Sequence, residues 1–185
     1  GGSALFRVDE LTVATNGVIN ADGGGFSNIG KGPGKGLFTG GANNNGPYGG
    51  GGYGGLGGFG TLGGSGTTYG PEEAPIFPGS AGALRFSNYY GVKPERRTLA
   101  FYNGYGGGLI RVEAEGKVRI DGTLTANGGD APRGGAGSGG AISIRCRRFE
   151  GEPGGLLRAN GGRYTNASVP TQDIAGGGGA GRIAI

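Results

Sequence analysis

The sequence predicts an all-β chain, a β-solenoid of short stacked strands with almost no α-helix. Two repeated phrases and an excess of glycine carry that prediction. The first phrase is a small apolar strand closing on Ala-Asn-Gly-Gly or a near copy. It reads Gly17-Val18-Ile19-Asn20-Ala21-Asp22-Gly23, then Gly122-Thr123-Leu124-Thr125-Ala126-Asn127-Gly128-Gly129, then Gly155-Leu156-Leu157-Arg158-Ala159-Asn160-Gly161-Gly162. A unit this short cannot bury its own apolar face, so copies must stack on one another.

The second phrase is a four-residue alternation, apolar at its second and fourth positions. Its copies are Leu5-Phe6-Arg7-Val8, Ala83-Leu84-Arg85-Phe86, Leu109-Ile110-Arg111-Val112, Ala141-Ile142-Ser143-Ile144 and Arg182-Ile183-Ala184-Ile185. A strand alternates its side chains between two faces. Phe6/Val8, Leu84/Phe86, Ile110/Val112, Ile142/Ile144 and Ile183/Ile185 therefore share one face. Arg7, Arg85, Arg111, Ser143 and Ala184 share the other. Ala126 and Ala159 stand 33 residues apart, and Ile110 and Ile142 stand 32 apart, a spacing suited to one solenoid turn with its loops. The 105 residues from Ala21 to Ala126 correspond to about three such turns with degraded intermediates.

Glycine supplies 52 of the 185 residues, several times the ordinary share. No strict Gly-X-Y period runs and only 9 residues are proline, which excludes collagen. The apolar alternation separates the chain from a disordered linker. No segment combines helical periodicity with freedom from Gly, Pro and β-branched residues, so helix is not expected.

The formal charge is +4, with −1 over residues 1–91 and +5 over residues 92–185. The basic half either favours an acidic partner or protects outward strand positions. Cys146 is the sole cysteine, which excludes an internal disulfide framework, and it continues the inward phase of Ile142 and Ile144. His is absent, so His-based acid–base chemistry and His metal sites are excluded. No apolar run reaches the roughly 20 residues of a membrane helix. The start at Gly1-Gly2-Ser3, without Met, reads as internal: a processed chain or one module of a longer protein. Asn166-Ala167-Ser168 is a formal glycosylation sequon.

Three regions of one structural domain follow. Residues 1–25 hold N-terminal solenoid strands. Residues 26–80 form a Gly/aromatic-rich insertion. Residues 81–185 carry the solenoid repeats, interrupted by a basic loop at Lys93-Pro94-Glu95-Arg96-Arg97. Within the insertion, residues 46–70 space Tyr48, Tyr53, Leu56, Phe59, Leu62 and Tyr69 among glycines with no charge. Bare glycines let polyproline-II-like segments approach closely, and interleaved aromatics suit such packing. A contact surface for glycans or neighbouring subunits, through Tyr48, Tyr53, Phe59, Tyr69, Tyr89 and Tyr90, is the alternative, followed by a free linker.

Asp22, Asn127 and Asn160 each end a strand before glycines. Their side chains bond local backbone, and in stacked repeats they would form a ladder down one corner that satisfies turn amides. A ligand-binding row is the other reading. The remaining motifs fail. Gly30-Lys31-Gly32 and Gly34-Lys35-Gly36 lack the hydroxyl and helix of a phosphate loop. Arg133-Gly134-Gly135 stands nearly alone as an RNA-type segment. Glu113 and Glu115 point outward, suited to salt bridges between turns. A polysaccharide-cleaving site could draw only on Asp121 and Asp130 near Arg119 and Arg133. No catalytic, cofactor or metal residues are assigned.

The run Gly106-Gly107-Gly108-Leu109-Ile110-Arg111-Val112, the Gly122–129 and Gly137-Ser138-Gly139-Gly140-Ala141-Ile142-Ser143-Ile144 phrases, and Gly176-Gly177-Gly178-Gly179-Ala180-Gly181-Arg182-Ile183-Ala184-Ile185 resemble the Gly-rich repeats of very large bacterial surface and secreted proteins. Tyr69-Gly70-Pro71 and Pro78-Gly79-Ser80 are similar to their spacer. The resemblance implies a right-handed parallel β-helix in an extracellular adhesin or structural fibre. It assigns no residue a biochemical role, and the basic loop and Cys146 depart from it.

The expected function is a structural extracellular subunit that stacks end to end into a surface fibre or stalk. Strands at both ends of the sequence would present Phe6, Val8, Ile183 and Ile185 to another copy or to an adjacent module. A glycan- or receptor-binding adhesin tip is the alternative, and a polysaccharide-cleaving enzyme stands behind it. No nucleic-acid partner, membrane insertion or cofactor is expected.

Overall fold

The computed structural model describes residues 2–27, 31–38, 48–61, 63–84, 103–132, 134–165 and 174–185. Ten short strands run in chain order among them: β1 (Ser3–Val8), β2 (Leu11–Val13), β3 (Val18–Asn20), β4 (Leu109–Ala114), β5 (Lys117–Ile120), β6 (Thr123–Thr125), β7 (Ala141–Arg145), β8 (Arg148–Glu150), β9 (Leu156–Arg158) and β10 (Arg182–Ala184). No helix occurs among the described residues.

Each pass of the chain gives one strand to each of three sheets. Their orders are β1-β4-β7-β10, β2-β5-β8 and β3-β6-β9, and every pairing is parallel. Parallel neighbours cannot be joined by a hairpin, so the chain leaves each sheet and returns one layer later. The fold is therefore all-β with stacked parallel strands, the class to which β-solenoids belong.

Register puts like residues in columns. Ala4, Ile110, Ile142 and Ile183 align, as do Phe6, Val112 and Ile144. Leu11, Val118 and Phe149 form another column, and Ile19, Leu124 and Leu157 a third. Val112, Val118, Leu124 and Ile142 are fully buried in one cluster that draws on all three sheets. Each such side chain contributes about 1.5–3 kcal/mol on leaving water. Cys146 packs against that cluster, half-buried, as its inward phase predicts.

Two expectations are corrected. Phe6 and Val8 pair with Val112 and Ala114, one alternation step later than the phrase comparison suggests. The shift is two residues, so inward and outward faces are preserved. The 105-residue spacing from Ala21 to Ala126 is one pass rather than three, because Val18 pairs with Thr123 and Ile19 with Leu124. Among the described residues of the interval 21–108 no strand occurs, and the strand repeats resume at Leu109. Ala83 and Leu84 are buried but belong to no strand. The Ala83 amide bonds Gly49 and its carbonyl receives Gly135, two different segments rather than one ladder. Arg85, Phe86, the basic loop, Tyr89 and Tyr90 lie outside the described residues.

Glycine-rich segments pack beside the sheets. Residues 134–140 bond six neighbouring segments, and the partners rotate with a three-residue period. Gly135 and Ser138 bond residues 79–83 and 103–108. Ala136 and Gly139 bond residues 175–181, and Ala136 also bonds Gly51. Gly137 bonds Gly129 and Gly162. Three residues per turn without internal bonds is the polyproline II habit. The amides of residues 135–140 each find a partner on another segment, which meets the demand that buried backbone groups be paired.

This spacing leaves no room for side chains. A Cβ on Gly178 would fall on the Gly137 carbonyl oxygen, and one on Gly137 on the Tyr105 carbonyl oxygen. The 28% glycine of the composition is the chemical condition for the bundle.

Candidate functional site

Four groups of residues could carry function: the ladder at one corner, the aromatics of the insertion, the charged outer rows and the two open ends of the strand stack. The first is a column of side-chain-to-backbone bonds. Asp22 Oδ1 accepts from the Asn127 amide at 2.6 Å and from the Thr125 hydroxyl at 2.7 Å. Asn127 Oδ1 accepts from the Asn160 amide at 2.9 Å, and Asn127 Nδ2 donates to Thr125 and to Asp22 Oδ2. Asp130 Oδ1 repeats the arrangement with the Arg163 amide, 33 residues on. Asp22 and Asn127 thus spend side-chain atoms on the turn of the next layer, and Asn160 receives the last of these bonds through its amide.

The insertion aromatics divide. Tyr48 and Tyr53 are 2% and 0% exposed, so neither offers a contact surface. The reason is packing: Tyr48 stacks on Phe38 at 5.0 Å, and Tyr53 tilts against Tyr69 at 4.7 Å. Tyr69 is half-buried, donates its hydroxyl to the Pro78 carbonyl at 2.5 Å and accepts from Ser80 at 3.0 Å. Burial pushes the Tyr69 phenol up to about 12, and burial raises Tyr53 as well. Phe59, at 73% exposure, stays on the surface beside Leu56 in sequence, itself 61% exposed. Tyr89 and Tyr90 lie outside the described residues, as does Asn166 of the sequon.

Charged side chains pair between layers. Glu113 meets Arg7 at 2.9 Å and Arg111 at 2.6 Å, on the outer face of the first sheet. The Arg7 hydrogen bond, aided by Arg111, holds the Glu113 carboxyl below the usual carboxylate range. Asp121 accepts from Arg119 at 2.7 Å and from the Glu152 amide at 3.0 Å. The Arg119 bond lowers Asp121 in the same way. Asp121 is therefore tied into a layer contact, and Asp130 into the corner described above. Arg133 lies outside the described residues. No group of three His, Cys, Asp or Glu gathers to hold a metal ion among the described residues. No described helix is long and apolar enough to cross a membrane.

Sequence reasoning missed Arg182. Its side chain is 10% exposed, its guanidinium lies 5.5 Å from the Tyr53 ring centroid, and its Nη1 is 3.8 Å from Glu72. A cation on an aromatic face is stabilised by the ring quadrupole. The phrase comparison sets Leu5, Ala83, Leu109 and Ala141 in the Arg182 position, so a single arginine among apolar residues is the available signal.

The ends of the stack are uncovered. At the C-terminal end Ile183 is 44% and Ile185 is 62% exposed, while Ile142, directly beneath Ile183, is fully buried. Phe149 is 40% exposed above a fully buried Val118. At the opposite end Phe6, Leu11 and Ile19 are half-buried, and Val8 with them. Among the described residues of the strand stack, only the outermost layers leave core-facing side chains in water.

Comparison of the chain with protein-family models, with curated proteins and with solved structures gave no match.

Proposed function

We propose that this chain is a non-catalytic structural module of an extracellular or cell-surface fibre or stalk, extended end to end by further coils. In this reading the three sheets close into a right-handed parallel β-helix, since crossovers between parallel strands are almost always right-handed. The added coils come from a second copy or from an adjacent module. The observation that carries the reading is the layered repeat itself, in which each pass adds one strand to each parallel sheet and sets like residues in register, so that further coils extend the same columns. Core columns that are fully buried at their centres finish in water at Phe149, Ile183 and Ile185. Unpaired edge strands with apolar faces are a template for another strand, and soluble proteins normally blunt or cover them.

Sedimentation velocity and negative-stain microscopy across a concentration series test self-stacking. The expected outcome is concentration-dependent growth into regular filaments. Ile183→Lys with Ile185→Lys should abolish growth, because two charges would have to be desolvated at the joint. Discrete particles at every concentration would remove the homopolymer.

A glycan-binding tip is the second reading, and the exposure of Phe59 favours it. It now lacks Tyr48 and Tyr53, which are buried. Carbohydrate binding by monomers, lost in Phe59→Ala, would establish it.

A further inference from the structure

The outer face of the first sheet holds a cleft of about 450 Å³, walled by Arg7, Asp9, Glu113, Glu115 and Arg145. Register builds it. Arg7, Glu113 and Arg145 align as one outward column. The Gly116 amide donates to the Asp9 carbonyl at 2.8 Å, which continues the same register to Asp9 and Glu115. Arg111 stands in the neighbouring outward column and reaches Glu113 at 2.6 Å. Leu5, aligned with Arg111 on β1, is 49% exposed. Outward side chains point away from the stack axis, so passes before Gly1 or after Ile185 would lengthen this face rather than stack on the cleft.

The cleft presents two kinds of hydrogen-bonding group. A guanidinium only donates, and a carboxylate only accepts. Glu113 is committed to Arg7 at 2.9 Å and to Arg111. Arg145, Asp9 and Glu115 are exposed, and among the described residues no ion pair engages them. One uncommitted donor group and two uncommitted acceptor groups therefore line the same cleft. A polyanion would meet three carboxylates here, and a polycation two arginines with Arg111 beside them. A protein partner would want aromatic or large apolar anchors at the centre of the contact. The apolar residues of this cleft are only Val8 and Ala114, and its centre is an ion pair. Hydroxyls suit both kinds of group, because each donates and accepts through one oxygen. Neighbouring hydroxyls on a sugar ring match the arginine fork on one side and the two oxygens of a carboxylate on the other.

We propose that this side face is a binding site for a neutral glycan, with Arg145 donating to sugar hydroxyls and Asp9 and Glu115 accepting from them. The site needs neither end-to-end growth nor Phe59, so it stands apart from both readings above. Strands fix the spacing of its groups, about 4.8 Å from layer to layer, and sites built on strands are held more precisely than sites on loops. A glycan running along the stack would meet a donor, an acceptor and a donor in turn at Arg7, Glu113 and Arg145. Leu5 offers an apolar surface beside that column for the C–H face of a sugar ring.

Isothermal titration calorimetry on the full chain decides it. The probes are neutral hexasaccharides of glucose, mannose, galactose and N-acetylglucosamine, with oligogalacturonate as the acidic probe and chitosan oligomers as the basic one. At least one neutral hexasaccharide should bind, and raising salt from about 0.1 M to about 1 M should leave its affinity within about twofold, since the ligand carries no charge to screen. Arg145→Ala and Glu115→Ala should each weaken binding about tenfold or more, as the loss of a hydrogen bond to a charged group does. Phe59→Ala should bind as the wild type does. Melting curves confirm that each variant is folded, and Asp9→Ala replaces one that is not. No binding by any neutral probe at about 1 mM, or binding that these cleft variants leave unchanged, would overturn the proposal. Neutral binding lost in Phe59→Ala alone would move the glycan to the aromatic surface. Binding of only the acidic or only the basic probe, weakened by salt, would assign the cleft to an ion and overturn the neutral ligand.

Discussion

A missing side chain does more for this molecule than most side chains do. Gly177 and Gly178 are neighbours in sequence, yet a Cβ on Gly177 meets nothing closer than 3.6 Å, whereas one on Gly178 lands on backbone at Gly137. The three-residue rotation of partners turns one position outward and the next into the bundle. Gly178→Ala should cost about 3 kcal/mol, because rigid backbone on both sides cannot retreat. Gly177→Ala should change stability by less than about 0.5 kcal/mol. Paired thermal melts check both. Single residues were also where the sequence was most legible. The Asn-Gly-Gly phrases place Asp22, Asn127 and Asn160, and the structure sets these in one bonded column. The fate of Tyr48 and Tyr53 was not legible, because exposure of an aromatic among glycines depends on which segment returns to cover it.

Strands are held to one another by outward ion pairs as well as by inward columns. Glu113 and Asp121 both have carboxyls lowered by arginine, so each binds its proton less readily in the folded chain than in the unfolded one. Their contribution is present above the ordinary carboxylate range, roughly pH 4. It is lost as pH falls through the lowered folded values. Tyr53 and Tyr69 have the opposite relation: their phenols are raised, so their contribution is intact below pH 10 and is lost as pH rises. For Tyr69 the loss runs from pH 10 to about 12. A plot of melting temperature against pH should therefore fall on both sides. Glu113→Gln with Asp121→Asn should flatten the acid side, and the part of the phenolate absorbance that Tyr53→Phe with Tyr69→Phe removes should appear together with alkaline unfolding rather than before it. The strand phase behind these pairs was legible from the alternation alone. Register was not, because moving Phe6 from Ile110 to Val112 keeps every face unchanged.

The whole molecule joins two kinds of order, side-chain columns inside three sheets and a glycine-rich bundle of hydrogen-bonded segments beside them. The repeats announced the first. The second was legible only as composition, since a three-residue bonding period leaves no alternation of residue types to read. The long interval between Ala21 and Ala126 therefore looked like three weak turns, although it is one step that detours through the bundle. Segments of that detour bond its own returning stretch at Gly104 and Gly107, the third pass at Ala136 and the fourth at Gly177 and Ala180. No pass can separate while those bonds stand, so heat should unfold the described regions in a single calorimetric transition. Two separate transitions, one for sheets and one for bundle, would show the halves to be independent.

That detour also has a mechanical meaning. Gly51 bonds Ala136, and Gly54 and Gly58 bond Ala180 and Gly177, although residues 51–58 precede all three partners by a whole pass or more. Tension applied along the stack would load the layers in series, each held by only a few strand bonds. The bundle runs across those layers as a tie-rod, sharing the load in parallel, so a fibre made from such units would yield by breaking between subunits before any subunit unravelled.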